Sequence, residues 1–246
     1  MATWVVGDIH GCAEELARLL ERLSPGSEDR VVAVGDLFHR GPDPGGVVDL
    51  LERCGAHFVL GNHELAILRR AGLAPLSTDP LDRPPLRERF PELEERDLDG
   101  DGGSRCRVEP ERRAGVLRFL QRHSGFVLRS RELAGAGPTR DGREWCAVHA
   151  GIRPGVAPER NAVRDLVGLR RLDAPGRPWW YERYGGPELV LFGHTPSPLP
   201  RARRVGERLV ALGLDTGCVY GGRLSAYSPE LDELVSVAAA RAYAVA

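Results

Sequence analysis

A single-domain α/β fold is what the amino-acid sequence predicts, and three observations predict it. Short apolar runs alternate with helix-length amphipathic ones. Several of the apolar runs end in a glycine followed by a polar side chain. A chain of 246 residues, 42% of them hydrophobic, is also long enough to bury one sizeable core.

The elements follow in order. Trp4 to Val6 reads as a strand, Ala13 to Leu23 as a helix, Val31 to Val34 as a strand, Pro44 to Cys54 as a helix and His57 to Leu60 as a strand. This β-α-β-α-β pattern implies largely parallel strands, because parallel neighbours need crossover connections that cover the sheet. A helix at Glu64 to Ala71 follows. From Pro75 to about Glu111, prolines, the Gly100 to Gly103 run and dense charge interrupt the pattern. This segment is expected to be a cap or loop inserted into one domain spanning 1–246. A helix at Arg112 to His123 precedes a second β-rich half, with strands near Phe126 to Arg129, Trp145 to Val148, Glu188 to Phe192, Leu209 to Leu214 and Leu224 to Tyr227. Arg170 to Gly186, rich in Trp, Tyr, Pro and Gly, is expected to be an irregular loop.

Composition excludes several function classes. Thirty-four basic residues, all arginine, against 35 acidic ones leave a net charge of −1, so nothing global draws the chain to nucleic acid or an anionic membrane. No apolar stretch approaches the roughly 20 residues of a membrane span. The first apolar run begins too early for a secretory leader, so a cytoplasmic location is expected. Five cysteines, without a CxxC pair, suggest reduced thiols rather than a disulfide framework or a cysteine zinc site.

The chemistry is concentrated where strands end. Val6-Gly7-Asp8-Ile9-His10-Gly11, Val34-Gly35-Asp36 and Leu60-Gly61-Asn62-His63-Glu64 each place a ligand-type side chain after a strand and a glycine. Val148-His149, Phe192-Gly193-His194 and Leu214-Asp215-Thr216-Gly217 repeat the theme in the second half. Carboxyl ends of strands are where open α/β sheets bind ligands. Five of the seven histidines, His10, His39, His63, His149 and His194, lie in or beside these turns with Asp8, Asp36 and Asn62. Imidazole nitrogen with carboxylate and amide oxygen suits manganese, iron or zinc, and one carboxylate can bridge two ions. Two ions about 3.5–4 Å apart would acidify a bridging water and clamp a phosphoryl group. A two-metal phosphoesterase is the natural reading of these residues.

The ordered motifs GDIHG, GDLFHRG, GNHE, HAG and GHT, beginning at positions 7, 35, 61, 149 and 193, resemble those of the calcineurin-like metallophosphoesterases of the phosphoprotein phosphatase type. The resemblance spans most of the chain outside roughly 75–111. It implies a four-layer α-β-β-α sandwich of two mixed sheets flanked by helices. It also implies two divalent ions, manganese first with iron or zinc as alternatives. Asp8 and His10 would hold one ion, Asp36 would bridge, and Asn62, His149 and His194 would hold the other. A hydroxide between the ions would attack in line. His63 would be the general acid, and Arg40 would neutralise charge on the phosphoryl group.

Position 39 sharpens the substrate expectation. Many protein phosphatases of this type carry an acid there that pairs with the catalytic histidine, whereas this chain has His39, which joins the catalytic candidates by its place beside His63. An imidazole cannot raise the proton affinity of His63 as a carboxylate does, so an easily leaving phosphoanhydride is favoured over an alkoxide. The bacterial symmetrical diadenosine tetraphosphatases also lack an acid at that place. Met1 to Cys12 and Leu214 to Gly222 are similar to that group as well. Symmetrical hydrolysis of diadenosine tetraphosphate or related dinucleoside polyphosphates to ADP is therefore the leading expectation. A serine/threonine phosphatase acting on phosphoproteins is the alternative, because Gly193-His194-Thr195-Pro196 is equally similar to the bacterial protein phosphatases. A catalytically weak phosphate-binding or scaffold protein ranks last.

Other signals carry less. Arg201, Arg203 and Arg204, and Arg153 after the His149 turn, could hold distal phosphates, with Arg153 and Arg203 taken as substrate-binding candidates beside Arg40. A solvated basic loop competes with that reading. Trp179, Trp180 and Tyr181 could stack on a base, but packing against the adjacent sheet is the plainer expectation. Asp97 to Gly102 begins like a calcium loop, yet Val108 stands where a bidentate acid is needed. Cys12 and Cys218 lie beside site loops and are expected to be small buried thiols rather than redox sensors. His57 and His123 receive structural readings.

Overall fold

The structure, a computed structural model, describes residues 1–70, 108 and 110–245. The expected insert at about 75–111 and the Asp97 to Gly102 run lie outside the described residues, apart from Val108 and the start of a helix at Pro110.

The strands form two five-stranded sheets. One contains β1 (Thr3–Val6), β2 (Arg30–Ala33), β3 (His57–Phe58), β9 (Arg223–Ser228) and β10 (Glu233–Ala238), in the order β10-β9-β1-β2-β3. The other contains β4 (Val127–Arg129), β5 (Trp145–Val148), β6 (Leu189–Phe192), β7 (Arg201–Val205) and β8 (Arg208–Gly213), in the order β4-β5-β6-β8-β7. Helices α1 (Ala13–Leu23), α2 (Pro44–Arg53), α3 (Asn62–Arg70) and α4 (Pro110–Leu120) belong to the first half, and α5 (Val163–Gly168) to the second.

Each sheet mixes parallel and antiparallel pairs. β1, β2 and β3 pair in parallel, as do β5, β6 and β8, whereas β9, β10, β4 and β7 pair antiparallel with their neighbours. The parallel expectation therefore holds for three strands of each sheet. β7 and β10 were not foreseen, and the reason is physical. As edge strands they bury one side or neither, so β7 reads Arg-Ala-Arg-Arg-Val with no apolar alternation. The basic run at 201–204 is part of a hairpin rather than a loop.

Central strands read as continuous apolar runs because both faces are buried. The two-residue period assigns each side chain to a layer. Trp4 and Val6 of β1 pack outward with Leu16 and Leu19 of α1 and Val47 and Leu51 of α2, while Val5 faces the second sheet. Trp145, Ala147, Leu189 and Leu191 meet Val5, Val32 and Val34 between the sheets. Cys146, Val148, Val190 and Phe192 point away, beneath Leu166, Trp180, Tyr181 and Tyr184. The order of layers is thus helices, sheet, sheet, and a cover made of α5 and the aromatic segment after it. That segment carries a 3-10 turn at Trp180–Arg183 inside the expected loop. Packing explains its aromatic content: the ring centroid of Trp180 is 4.9 Å from that of Phe192, and its Nε1 donates to the Ala150 carbonyl at 3.1 Å.

Trp180 closes the outer core and is 1% exposed. Trp180→Ala should lower unfolding stability by about 3–5 kcal/mol, read from urea denaturation. A loss below about 1 kcal/mol would show that the outer layer does not depend on this ring.

Candidate functional site

The side chains that the sequence singles out converge at one edge of the sandwich, where the parallel strands of both sheets end. Asp8 and His10 follow β1, Asp36 follows β2, and Asn62 and His63 open α3 just after β3. His149 follows β5 and His194 follows β6. Two overlapping triads result: Asp8, His10 and Asp36 in one, and Asp36, His149 and His194 in the other, with the ligand atoms of each within 4.8 Å of one another. Asp36 belongs to both. Its Oδ2 lies 3.7 Å from His10 Nε2 and 3.9 Å from His63 Nε2, and its Oδ1 lies 3.4 Å from His149 Nε2.

Tight backbone geometry makes this convergence feasible. Of the seven non-glycine residues with positive φ among the described residues, His10, Asp36, Arg40 and His194 lie here. Such left-handed conformations cost about 1–3 kcal/mol each and concentrate where function demands them. Two glycines admit close approaches that no side chain would allow. A Cβ on Gly193 would overlap the Asp8 carboxylate, and one on Gly61 would overlap that of Asp36. The Gly193 approach lets the backbone N–H of His194 donate to Asp8 Oδ1 and Oδ2 at 3.1 and 3.0 Å, joining the two sheets.

One residue that holds the site was missed in the sequence. Glu64 is fully buried, and its carboxylate accepts from the backbone N–H groups of Asp36 (2.7 Å), Leu37 (2.8 Å) and Gly61 (3.1 Å). It braces the turn that aims Asp36. Burial, then the charge of Asp36, pushes its carboxyl up to about 8. Its place beside His63 in Gly-Asn-His-Glu was the available signal. Asp215 was noted only as part of a turn, yet it is 6% exposed, and burial raises its carboxyl to about 7, with the charge of Asp36 adding to the shift. Arg170 lacked any signal. Its exposed guanidinium donates to the His194 carbonyl at 3.0 Å, an approach made by packing alone.

The remaining candidates divide. Arg40 Nη1 donates to His10 Nε2 at 3.1 Å, and the ring of His39 lies against that of His63, with centroids 4.3 Å apart. Arg153 forms a two-point ion pair with Asp165, Nε to Oδ2 at 2.6 Å and Nη2 to Oδ1 at 3.1 Å. Arg203 sits in β7 opposite Ala211, farther along the hairpin than Arg201, which pairs with Gly213 at the end of β8. Trp180 and Tyr181 are buried, while half-buried Trp179 lies under the guanidinium groups of Arg171 (3.9 Å) and Arg201 (4.6 Å). Among the described residues, Cys12, Cys54, Cys146 and Cys218 are free thiols.

The donor set fits divalent cations. His149 Nδ1 lies 2.9 Å from the Val34 carbonyl, which can only accept, so Nδ1 donates there and Nε2 is the ring nitrogen turned toward the cluster. That nitrogen faces Asp36 Oδ1, Asn62 Oδ1 at 3.1 Å and His194 Nδ1 at 3.1 Å. Burial holds His10 down to about 3, and His39 and His194 well below the ordinary range, so these rings are neutral. Burial, then the charges of Asp215 and Asp36, raises Asp8. Converging lone pairs and crowded buried carboxylates are what a bound cation would relieve. Asp8, His10 and Asp36 would hold one ion, and Asp36, Asn62, His149 and His194 a second.

If Glu64 aims Asp36, Glu64→Ala should weaken Mn²⁺ binding about 10–100-fold, the usual range for partners of metal ligands. Calorimetric titration measures this, and unchanged affinity would remove Glu64 from the account.

Comparison with known proteins agrees with the geometry. The chain is 30% identical to the asymmetrical bis(5'-nucleosyl)-tetraphosphatase PrpE of Geobacillus sp. (strain WCH70), over 97% of this chain and 95% of that protein. It is also 30% identical to the symmetrical bis(5'-nucleosyl)-tetraphosphatase of Dechloromonas aromatica (strain RCB), over 92% of each. A crystal structure provisionally assigned as a diadenosine tetraphosphatase superposes with a TM-score of 0.67 at 29% identity, covering 97% of this chain and 93% of that one. The family implies divalent metal ions and hydrolytic activity. With residues 1–207 matching the family directly, and with its two mixed sheets and shared-aspartate cluster, the chain belongs to the calcineurin-like phosphoesterases.

Proposed function

We propose that this phosphoesterase is a cytoplasmic hydrolase that cleaves the central phosphoanhydride of diadenosine tetraphosphate or a related dinucleoside polyphosphate. The observation that carries the hydrolytic reading is the pair of triads sharing Asp36, flanked by His63 and Arg40. When bound, two divalent cations, with manganese the first choice and iron or zinc the alternatives, supply an acidified water and withdraw charge from the phosphoryl oxygens.

The chain's own groups do the rest. Arg40 and Arg170 stand on the His10 and His194 sides of the cluster and bracket an incoming phosphate with positive charge. The guanidinium of Arg40 lies 5.8 Å from the ring centroid of Tyr220, which steadies it. His63, half-buried beside Asp36, protonates the departing oxygen. His39 is 7% exposed and neutral, so it shapes the space beside His63 without adding the negative charge of a carboxylate. A weakly basic leaving group, such as a nucleoside diphosphate, needs little help from such an acid, which is why His39 favours an anhydride over a phosphoserine ester. Arg203 and Arg153 are secondary phosphate contacts. Arg153 would have to share its guanidinium with Asp165 to serve.

The resemblance to PrpE favours a second reading, in which the same site cuts off-centre. Products decide between them. Incubation with diadenosine tetraphosphate and Mn²⁺ should release ADP alone, whereas ATP plus AMP would establish the asymmetrical cut. Phosphate release from a phosphoserine peptide, faster than either, would move the protein to the protein phosphatases. Chelator should abolish turnover, as should Asp36→Asn, which should also lose metal binding; an active Asp36→Asn enzyme would overturn the assignment.

His39→Asp should raise hydrolysis of esters with poor leaving groups relative to the anhydride, by about 10-fold or more if the restored carboxylate strengthens His63 as an acid. An unchanged ratio of the two kcat/KM values would refute the argument from leaving groups.

A further inference from the structure

A second cluster of potential ligands lies beneath the catalytic loops and plays no part in the reaction proposed above. Cys12, Glu15 and Cys218 are all buried, and their Sγ, carboxylate oxygen and Sγ atoms lie within 4.8 Å of one another. Cys12 ends the loop that carries Asp8 and His10 and precedes α1. Glu15 occupies the first turn of that helix, and Cys218 follows the Asp215 turn. Cys12 Sγ donates to the His10 carbonyl at 3.8 Å.

Glu15 is only half accounted for. It is fully buried, and one oxygen is well used: Oε1 accepts from the Ala240 N–H at 2.8 Å and the Tyr243 hydroxyl at 2.9 Å, and lies 3.5 Å from Arg18 Nη2. Its Oε2 is buried without a hydrogen-bond partner. An unsatisfied carboxylate oxygen in the interior is costly, and native folds seldom keep one without a use. Two sulfurs and one oxygen form a donor set unlike that around Asp36, which contains no sulfur. Thiolates select zinc over manganese or magnesium.

We infer that Cys12, Cys218 and Glu15 form a separate zinc site that fastens the catalytic loops to the C-terminal segment. In a tetrahedral site with Zn–S about 2.3 Å and Zn–O about 2.0 Å, ligand atoms lie about 3.5–3.8 Å apart. The cluster, with its ligand atoms within 4.8 Å, therefore needs a contraction of about 1.3 Å at most. Binding displaces the two thiol protons to solvent; the two thiolates neutralise the ion, and the charge of the carboxylate is left to Arg18, whose Nη2 lies 3.5 Å from Glu15 Oε1. A cavity of about 400 Å³ lies alongside, lined by Ala13 and Glu14, which stand between Cys12 and Glu15 in sequence, and by Ala240 and Tyr243, which hold Glu15 from the other side. One ion would thus tie together the Asp8–His10 loop, α1, the Asp215 loop and the segment around 240–243. The inference is independent of which phosphoanhydride or ester the enzyme cleaves.

Cobalt distinguishes the two centres. Metal-free protein under reductant is titrated with Co²⁺ and followed in the near ultraviolet and the visible. Thiolate ligation produces a sulfur-to-cobalt charge-transfer band that the nitrogen and oxygen ligands around Asp36 cannot produce. The band should appear in the parent chain, vanish in Cys12→Ser and in Cys218→Ser, persist in Cys54→Ser and bleach on addition of Zn²⁺. Its absence at saturating Co²⁺, or its survival in both Cys12→Ser and Cys218→Ser, overturns the inference. Should either variant fail to fold, X-ray absorption at the zinc edge of the unaltered protein decides: sulfur scattering near about 2.3 Å supports the site, and a shell of nitrogen and oxygen alone overturns it. Loss of the visible Co²⁺ bands with the charge-transfer band intact would count against the Asp36 centre only.

Discussion

The carboxylate of Asp36 is the point on which the site depends. It stands at the end of β2 and faces imidazoles from three other segments: His10 after β1, His63 in α3, and His149 across the gap between the sheets. No single strand could assemble this arrangement. It requires both sheets to bring their carboxyl ends to one edge, and it requires the Asp36 turn to hold a left-handed backbone. Glu64 supplies part of the restraint by accepting three backbone N–H groups around that turn. The strain and the burial of charge are therefore concentrated together, as expected where structure is organised for binding rather than for stability.

The rest of the sandwich can be understood as support for that junction. The inter-sheet core of Val5, Val32, Val34, Trp145, Ala147, Leu189 and Leu191 fixes the separation of the sheets. The Asp8 bond to the His194 N–H closes the gap at the site edge. Gly193 and Gly61 lie so close to the two aspartates that a Cβ at either position would overlap a carboxylate. The carboxylates are left crowded, a balance that bound divalent cations would restore.

One step away from the shared aspartate, the ring of His39 lies tilted against that of His63, while Arg40 reaches His10 and Arg170 the His194 carbonyl, so that positive charge flanks the cluster. Arg201 and Trp179, stacked on each other at the end of the β7–β8 hairpin, extend the basic surface without being needed for the chemistry.

Much of this was legible in the chain itself. The central strands, helices α1 and α2 and the placing of the candidate ligands Asp8, His10, Asp36, Asn62, His149 and His194 at strand ends follow from local patterns, because a buried strand must be apolar and a tight turn after it needs glycine. Edge strands β7 and β10 were illegible, since a strand with a solvated face carries no continuous apolar run. Glu64 was visible in its motif but not its role, which comes from a turn 28 residues away. Arg170 beside His194, the pairing of Arg153 with Asp165, and the meeting of Cys12 with Glu15 and Cys218 were set by packing alone. The amino-acid sequence by itself determined which residue types end each strand, because backbone geometry and apolar burial act over a few neighbouring residues. Only the tertiary structure decided which of those ends meet around Asp36, because that depends on how two sheets stack, and stacking couples residues that sequence separation keeps apart.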